Sequence, residues 1–517
     1  MKILTAEKMA YVDRVTIERG TPGLVLMRNA GKAVFDLIKN TTGSICGKAV
    51  VLAGKGNNGG DGFRVAELLA KSGWNVDAYL FGTKEDVRGD ALTCMHDAKN
   101  AGLTTVEMTG ENHLQQVHES IDSADVIIDA LFGTGLKGDI CGLAASVIPV
   151  VNDSDAIVFA VDIPSGVNAS TGAVSASTVQ ADYTVTFGCF KVGHIFGPGR
   201  RKCGEITVAD IGFDSEIMDS VECTGFALSK SEAAELIPRR AYNAHKGSEG
   251  RIFLLSGSVG LTGATTLSSM AAMRIGAGMV TTGCPSSLND ILEIKLTEVM
   301  TLPLAEVRKK RCLSLRALGM VRKAAEKAHV VAIGPGLGTY HETSELVRLF
   351  IAEYTGRVVL DADGINAFKS RPDLLSAAPC EIVLTPHIGE LSRLMDKPVE
   401  ELAKNPVESA RLAAVQTGSV VLLKGAPTVI TTPDEAVWVN PTGSEAMATA
   451  GMGDVLTGTI AGFAAQGLTL FEATKLGAYV HGRAGELAAE EFGIPSVMAG
   501  DVLEKLSYAL IDTGKNI

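Results

Sequence analysis

The 517-residue chain is poor in aromatic residues, at 5% Phe, Trp and Tyr, and has no surplus of positive charge. Its 47 Lys and Arg stand against 59 Asp and Glu, a formal net charge of −12. A broad polyanion surface needs clustered cations, so nucleic acid is not an expected partner. Local anion sites survive this argument, because backbone N–H groups bind phosphate without lysine. Paired cysteines are also missing. The nine cysteines are scattered, with no Cys-x-x-Cys pair. That spacing argues against a zinc site or a disulfide framework and for reduced thiols in a cytoplasmic protein. No run of about 18 apolar residues occurs, so no membrane-spanning helix is expected. Residues 1–20 carry charges throughout, and they are not expected to be a signal peptide.

Glycine is in excess. There are 57, about one residue in nine, against a usual frequency of roughly 7%. They follow no collagen period and punctuate aliphatic runs, as in the phosphate loops of α/β enzymes. With 46% hydrophobic residues, disorder, fibre and coiled coil are excluded. The length predicts two to four domains.

The first half alternates strand and helix. KAVVLAG at 48–54 reads as a buried strand, followed by the loop KGNNGGDG at 55–62 and the helix FRVAELLAKSG. Further strands are expected in NVDAYLFG, ADVIIDALFG, DAIVFAVDIPSG, DYTVTFG and GEITVADIG. Short aliphatic strands separated by helices imply a parallel, doubly wound, Rossmann-like sheet. The pattern breaks between about 214 and 240, and a second α/β series begins at RIFLLSGS (251–258). Later strands include HVVAIGPGLG, RVVLDADG, EIVLTPHIGE and SVVLLKGA, and residues 419–440 predict hairpin pairing. The expected domains are 1–220 and 221–517.

Gly54, Gly56 and Gly59 fit G-x-G-x-x-G between a strand and a helix, the context of a dinucleotide fingerprint. Asn57, Asn58 and Asp61 add side-chain ligands that a redox fingerprint does not need. Asp129 ends VIIDA, and Asp162 ends IVFAVD just before Pro164, Ser165 and Gly166. In a parallel sheet these strand ends share one edge, so Asn58, Asp129, Asp162 and Ser165 are candidates for one site. Carboxylate, amide and hydroxyl oxygens suit a hard cation rather than zinc. Each Asp taken alone would read as a turn cap. Lys191 is either a surface charge or a group reaching the same pocket, and His194 is expected to be structural. In the second half, TAGMGDVLTG (449–458) places glycines at the mouth of an apolar helix, a phosphate-binding arrangement. Asp454, at the start of that helix, is a candidate base.

These motifs resemble a known pairing. GNNGGDG, DALFGTGL, DIPSGV and FGCFKVG are similar to the NAD(P)HX epimerase family. HKG, SGSVGLTGA, GPGLG, TPHIGE, KGAPTVI and AGMGD are similar to the ADP/ATP-dependent NAD(P)HX dehydratase family, which has a ribokinase-like fold. Together they resemble the bifunctional NAD(P)H-hydrate repair family over essentially the whole chain. The resemblance implies substrates NADHX and NADPHX, nicotinamide cofactors hydrated at C6. One half would interconvert the R and S hydrates, and the other would dehydrate the S form using ADP or ATP with Mg²⁺. It implies that Asn57, Asn58, Gly59, Gly60, Asp61, Gly133, Thr134, Gly135, Leu136, Lys137, Gly138, Asp139 and Asp162 bind the hydrate. Asn58, Asp129 and Ser165 would hold K⁺. Ala264, Gly336, His387 and Asp454 would contact the S hydrate. Lys424, Gly425, Ala426, Pro427, Thr428 and Gly453 would bind the adenine nucleotide. A homo-oligomer is implied as well.

The chemistry fits these residues. Hydroxide leaves poorly near neutral pH, whereas phosphate leaves well, expelled by the ring nitrogen lone pair. Asp454 would deprotonate the C6 hydroxyl and the 451–453 turn would stabilise the transferring phosphoryl charge. Epimerisation needs acid/base groups, with Asp162 ranked ahead of Asp129 and Lys191. The alternative reading is a ribokinase-like small-molecule kinase fused to a non-catalytic ligand-binding domain.

Overall fold

The computed structural model describes residues 1–43, 46–136, 138–434 and 436–514. The fold divides into two units, Met1–Phe226 and Ala227–Ile517, and both are α/β.

In the first unit, seven short strands are built from Val, Ile, Leu, Phe and Ala. They are β1 (Lys48–Ala53), β2 (Asn75–Leu80), β3 (Thr105–Glu107), β4 (Val126–Ala130), β5 (Ile157–Val161), β6 (Tyr183–Phe187) and β7 (Glu205–Ala209). They lie in the order β3-β2-β1-β4-β5-β6-β7 and every pairing is parallel. Successive side chains face opposite sides of a strand. Val50, Leu52, Ile127 and Val158 pack on one face with Val147 and Val151 of the helix Gly142–Asp153. Ala49, Val51, Ile128 and Phe159 pack on the other with Leu26 and Val34 of the helix Gly23–Thr42 and Val65 of α1 (Asn57–Lys71). Both faces are covered, so the central strands read as continuous apolar runs rather than alternating ones. Each fully buried aliphatic side chain contributes about 1.5–3 kcal/mol. A small ribbon completes the unit. Lys2–Leu4 pairs antiparallel with Gly225–Phe226 and parallel with Phe190–Lys191.

The second unit repeats this logic. Its strands are β8 (Arg251–Leu255), β9 (Met279–Pro285), β10 (Met300–Leu304), β11 (Val330–Ile333), β12 (Arg357–Leu360), β13 (Glu381–Leu384), β14 (Val420–Leu423), β15 (Val429–Thr431) and β16 (Val437–Val439). Their order is β10-β9-β8-β11-β12-β13-β14-β15-β16. The sheet is parallel as far as β14, and then β14, β15 and β16 form the antiparallel meander expected for 419–440. One face packs on α2 (Thr262–Arg274), α3 (Met452–Ala465) and α4 (Leu470–Phe492). The other carries the helices His341–Ile351 and Pro406–Thr417.

Both sheets reverse direction beside their first strand, at β1/β4 and at β8/β11. Ligands of open α/β sheets bind in the crevice at such reversals. In the first unit the backbone closes tightly there. Gly54 N donates to Ala130 O at 2.9 Å. A Cβ on Gly54 would lie 2.0 Å from Leu131 O, and one on Gly59 would lie 1.8 Å from Gly54 O. Neither contact can be relieved by a side-chain rotation. Gly59→Ala is therefore expected to destabilise the first unit by about 2–4 kcal/mol in urea unfolding. An unchanged midpoint would contradict this packing.

Candidate active sites in the two units

Asp129 sits at the carboxyl end of β4, fully buried. Its carboxylate accepts from Ser165 N at 2.7 Å, Ser165 Oγ at 2.6 Å and Leu131 N at 3.3 Å. Ser165 Oγ in turn accepts from Phe132 N at 2.9 Å. Two of the three residues expected to share a cation, Asp129 and Ser165, are thus in direct contact. Burial pushes the Asp129 carboxyl up to about 6, against the lowering effect of these hydrogen bonds. Asn58 lies in the first turn of α1, and its Oδ1 would be 2.9 Å from a Cβ on Gly133. The 57–61 turn and the 133–138 loop therefore meet across the β1/β4 reversal. The Asn58 side-chain nitrogen is buried without a hydrogen-bond partner. Lys137, expected in this loop, lies outside the described residues.

Asp162 follows β5 in a left-handed conformation, φ 65°. Strain of this kind persists only where the surroundings over-determine it. Here Asp162 N donates to Val185 O at 2.8 Å, and Asp162 O accepts from His194 Nε2 at 2.9 Å. Oδ1 accepts from Lys191 Nζ at 2.6 Å and Thr186 Oγ1 at 2.9 Å. Lys191 is only 1% exposed, so it is a core ion-pair partner and not a surface charge. Its ammonium also donates to Thr186 Oγ1 at 2.8 Å and Phe187 O at 3.0 Å, which uses all three protons. Burial alone would raise the Asp162 carboxyl, but the Lys191 charge outweighs it and holds the group below its usual range. His194 is buried, and its Nδ1 accepts from Lys191 N at 3.0 Å. Nε2 therefore carries the proton. Burial, assisted by the Lys191 charge, pushes the ring down to about 3, so it stays neutral.

Asp61, in the second turn of α1, behaves in the opposite way. It is 9% exposed. Burial first, then the charges of Asp162 and Asp13, push its carboxyl well above the usual range. Asp13, from the helix Ala6–Glu18, is raised by burial and by Asp162 and Asp90. The Asp162 carboxyl is thus pulled down and the Asp61 carboxyl pushed up, and opposed shifts of this kind separate base from acid.

In the second unit Gly451 caps α3 with φ 92°, and Asp454 lies in its first turn. Glycine at the cap position supplies no side-chain cap bond. Burial, then the charges of Asp361, Glu390 and Asp363, push its carboxyl up to about 7, with Lys424 opposing. Lys424 follows β14, and its Nζ donates to Asp361 Oδ1 at 2.8 Å. A Cβ on Gly453 would lie 3.1 Å from Lys424 Nζ, so Gly453, Lys424 and Asp454 converge. His387 caps the helix Ile388–Met395. Its Nδ1 accepts from Gly389 N at 3.0 Å, and Glu390 returns a bond to His387 N. A Cβ on Gly336 would lie 3.2 Å from the Ala264 Cβ, which places the 334–338 turn against the start of α2. Thr428 Oγ1 donates to Gly425 O at 3.2 Å, folding 424–428 into a compact turn. Asp361, Glu390 and the raised carboxyl of Asp61 escaped the sequence reading. The first had a readable signal: VVLD ends a strand as VIID and FAVD do. No group of three or more His, Cys, Asp or Glu suited to a metal occurs among the described residues.

A glycine turn at each sheet reversal, paired with opposed carboxylates, defines a two-unit α/β enzyme. The family described as YjeF-related protein N-terminus matches residues 23–193, and that described as NAD(P)H-hydrate dehydratase matches residues 252–507. The bifunctional NAD(P)H-hydrate repair enzyme Nnr of Moorella thermoacetica is 40% identical over 99% of this chain and 97% of its own. Its Escherichia coli namesake is 31% identical over 93% of this chain and 88% of its own. The ADP/ATP-dependent NAD(P)H-hydrate dehydratase of Bacillus subtilis, co-crystallised with ATP/Mg²⁺, is 29% identical with a TM-score of 0.49, covering 56% of this chain and 99% of that one. The chain belongs to the family of bifunctional NAD(P)H-hydrate repair enzymes.

The Asp162–Lys191 pair yields a quantitative expectation. Lys191→Met leaves a buried carboxylate without its cation and is expected to cost about 3–5 kcal/mol. Adding Asp162→Asn should recover part of that loss, giving a coupling of at least about 1 kcal/mol in a double-mutant cycle read by urea unfolding. Additive losses would show that the two charges do not act as a pair.

Proposed function

We propose that this chain repairs hydrated nicotinamide cofactors. The first domain, 1–220, interconverts R- and S-NAD(P)HX. The second, ribokinase-like domain, 221–517, dehydrates the S form to NAD(P)H using ADP or ATP. The observation that carries the reading is the convergence of Asp454, Lys424 and Gly453 at the mouth of α3, with Asp454 poised near neutral pH. A general base works best when its pKa lies near the working pH. Full-length likeness to bifunctional repair enzymes supports this reading over a small-molecule kinase.

In the second domain, Asp454 takes the C6 hydroxyl proton as that oxygen attacks the terminal phosphoryl group and AMP (from ADP) or ADP (from ATP) departs. The ring nitrogen lone pair then expels phosphate from C6, and loss of a proton from the adjacent ring carbon gives NAD(P)H. Lys424 and the 451–453 turn hold the developing charge. Lys424, Gly425, Ala426, Pro427 and Thr428 line the nucleotide, while Ala264, Gly336 and His387 position the hydrate. Mg²⁺ bound with the nucleotide would supply charge neutralisation of the phosphates.

In the first domain, the start of α1 at 57–61 and the loop 133–139 hold the hydrate. Asp162, whose carboxyl Lys191 pulls down, and Asp61, whose carboxyl burial pushes up, are the acid/base groups as the C6–O bond or the ring opens and recloses. Asn58, Asp129 and Ser165 suit K⁺, which is large and takes oxygen ligands of the amide, carboxylate and hydroxyl types that these three side chains carry. Its charge would bring Asp129 back to the ionised form. A cytoplasmic homo-oligomer completes the proposal.

The test is a mixture of R and S hydrates supplied with ADP and Mg²⁺. Complete conversion to NADH is expected, whereas conversion halting at the S fraction, after correction for spontaneous epimerisation, would remove the epimerase assignment. Asp454→Asn should lower dehydration at least about 10²-fold while epimerisation continues. The dehydration rate should rise with pH through about 7, because the base must lose its proton. A flat profile across that range would exclude Asp454 as the base.

A further inference from the structure

Asp361 lies just past β12 and is 1% exposed. Its carboxylate is surrounded by three donors from three different elements. Oδ1 accepts from Lys424 Nζ at 2.8 Å, after β14, and from Thr385 Oγ1 at 2.8 Å, after β13. Oδ2 accepts from Thr457 Oγ1 at 2.8 Å, on α3. The backbone is fixed as well. Asp361 N donates to Ile333 O at 3.0 Å, and Asp361 O accepts from Gly364 N at 2.8 Å. Gly334 approaches so closely that a Cβ there would lie 1.7 Å from Asp361 O. So firmly held an acceptor can fix the position of whatever it binds.

What it binds is the Lys424 ammonium. Lys424 Nζ is 2.8 Å from Asp361 and 3.8 Å from Glu390. Both carboxylates attract it, and together they keep the buried ammonium charged against the cost of burial. The shorter contact decides where it stands, which is against Gly453.

We propose that Asp361 is a positioning residue for phosphoryl transfer: it holds the Lys424 ammonium against the Gly453 turn. Glu390 alone would draw the ammonium towards the helix Ile388–Met395 and away from that turn. The proposal rests on the dehydratase reading with Asp454 as base. Asp361 has a second effect through its charge. The groups acting on Asp454 are Asp361, Glu390 and Asp363, which raise its carboxyl, and Lys424, which lowers it. Removing the Asp361 charge removes one of the raising influences.

Asp361→Asn keeps shape and hydrogen-bonding capacity but not charge. At saturating S hydrate and ADP, kcat is expected to fall about 10²-fold, with KM for the hydrate changing less than about 3-fold. The acidic limb of the pH profile, near 7 in the parent chain, should move to lower pH. A merely structural role would lower the folded fraction without moving that limb. In a Lys424→Met background, adding Asp361→Asn should cost no further kcat, because the residue acts through the lysine. Should Asp361→Asn fail to fold, Thr457→Val removes one donor and leaves the charge. It should lower kcat about 10-fold. An unmoved limb with unchanged kcat in folded Asp361→Asn, full additivity with Lys424→Met, or a silent Thr457→Val each overturns the proposal. Asp454→Asn run alongside separates the two ideas. Activity surviving there sinks the base reading, whereas an inactive Asp454→Asn beside a silent Asp361→Asn sinks only the positioning role.

Discussion

A carboxylate at the carboxyl end of a buried parallel strand has almost no water to solvate it. Such a group must be given donors or a cation, or it will take a proton. Asp129, Asp162 and Asp361 all occupy this position, none more than 9% exposed. Each meets the requirement differently. Asp129 has only neutral donors from Ser165 and Leu131, and it is raised to about 6. Asp162 has a buried lysine and stays ionised. Asp361 has a lysine and two threonines. Much of the chemistry proposed for both domains follows from how these three debts of solvation are met.

The glycine turns are the other half of the arrangement. They let backbone approach backbone where a side chain would intervene, at Gly54 against Leu131 and at Gly334 against Asp361. Close approach matters because the carboxylates act over short range and through a poorly polarisable medium. In the second unit it places the Gly453 turn beside Lys424, while the cap position of α3 holds glycine. The acidic net charge of the chain is then no obstacle to binding anionic nucleotides, since the anion meets N–H groups and one fixed ammonium locally.

Much of this was legible in the sequence. The aliphatic runs ending in glycine identified six of the seven strands of the first unit, the short edge strand Thr105–Glu107 being the exception, and the short strands of 419–440 indicated the hairpins. Asp129 and Ser165 were readable as neighbours because both lie just past strand ends on one edge. Other features depend on long-range contacts that no local pattern encodes. The burial of Lys191 depends on the ribbon formed with Lys2–Leu4, which is far away in sequence. The upward shift of the Asp61 carboxyl comes first from its burial and then from Asp162 and Asp13, brought in from separate elements. Asp361 was written in VVLD, but its importance comes from Lys424 and Thr457, and their convergence is visible only in three dimensions.

The left-handed backbone at Asp162 has one more implication. Its geometry is held by four contacts that form only when β5, β6 and the segment at Lys191–His194 have come together. The ordering entropy of that carboxylate is therefore incurred once, during folding, and not again at each turnover. An incoming ligand finds the charge already aimed, and little of its binding free energy is diverted into arranging the host.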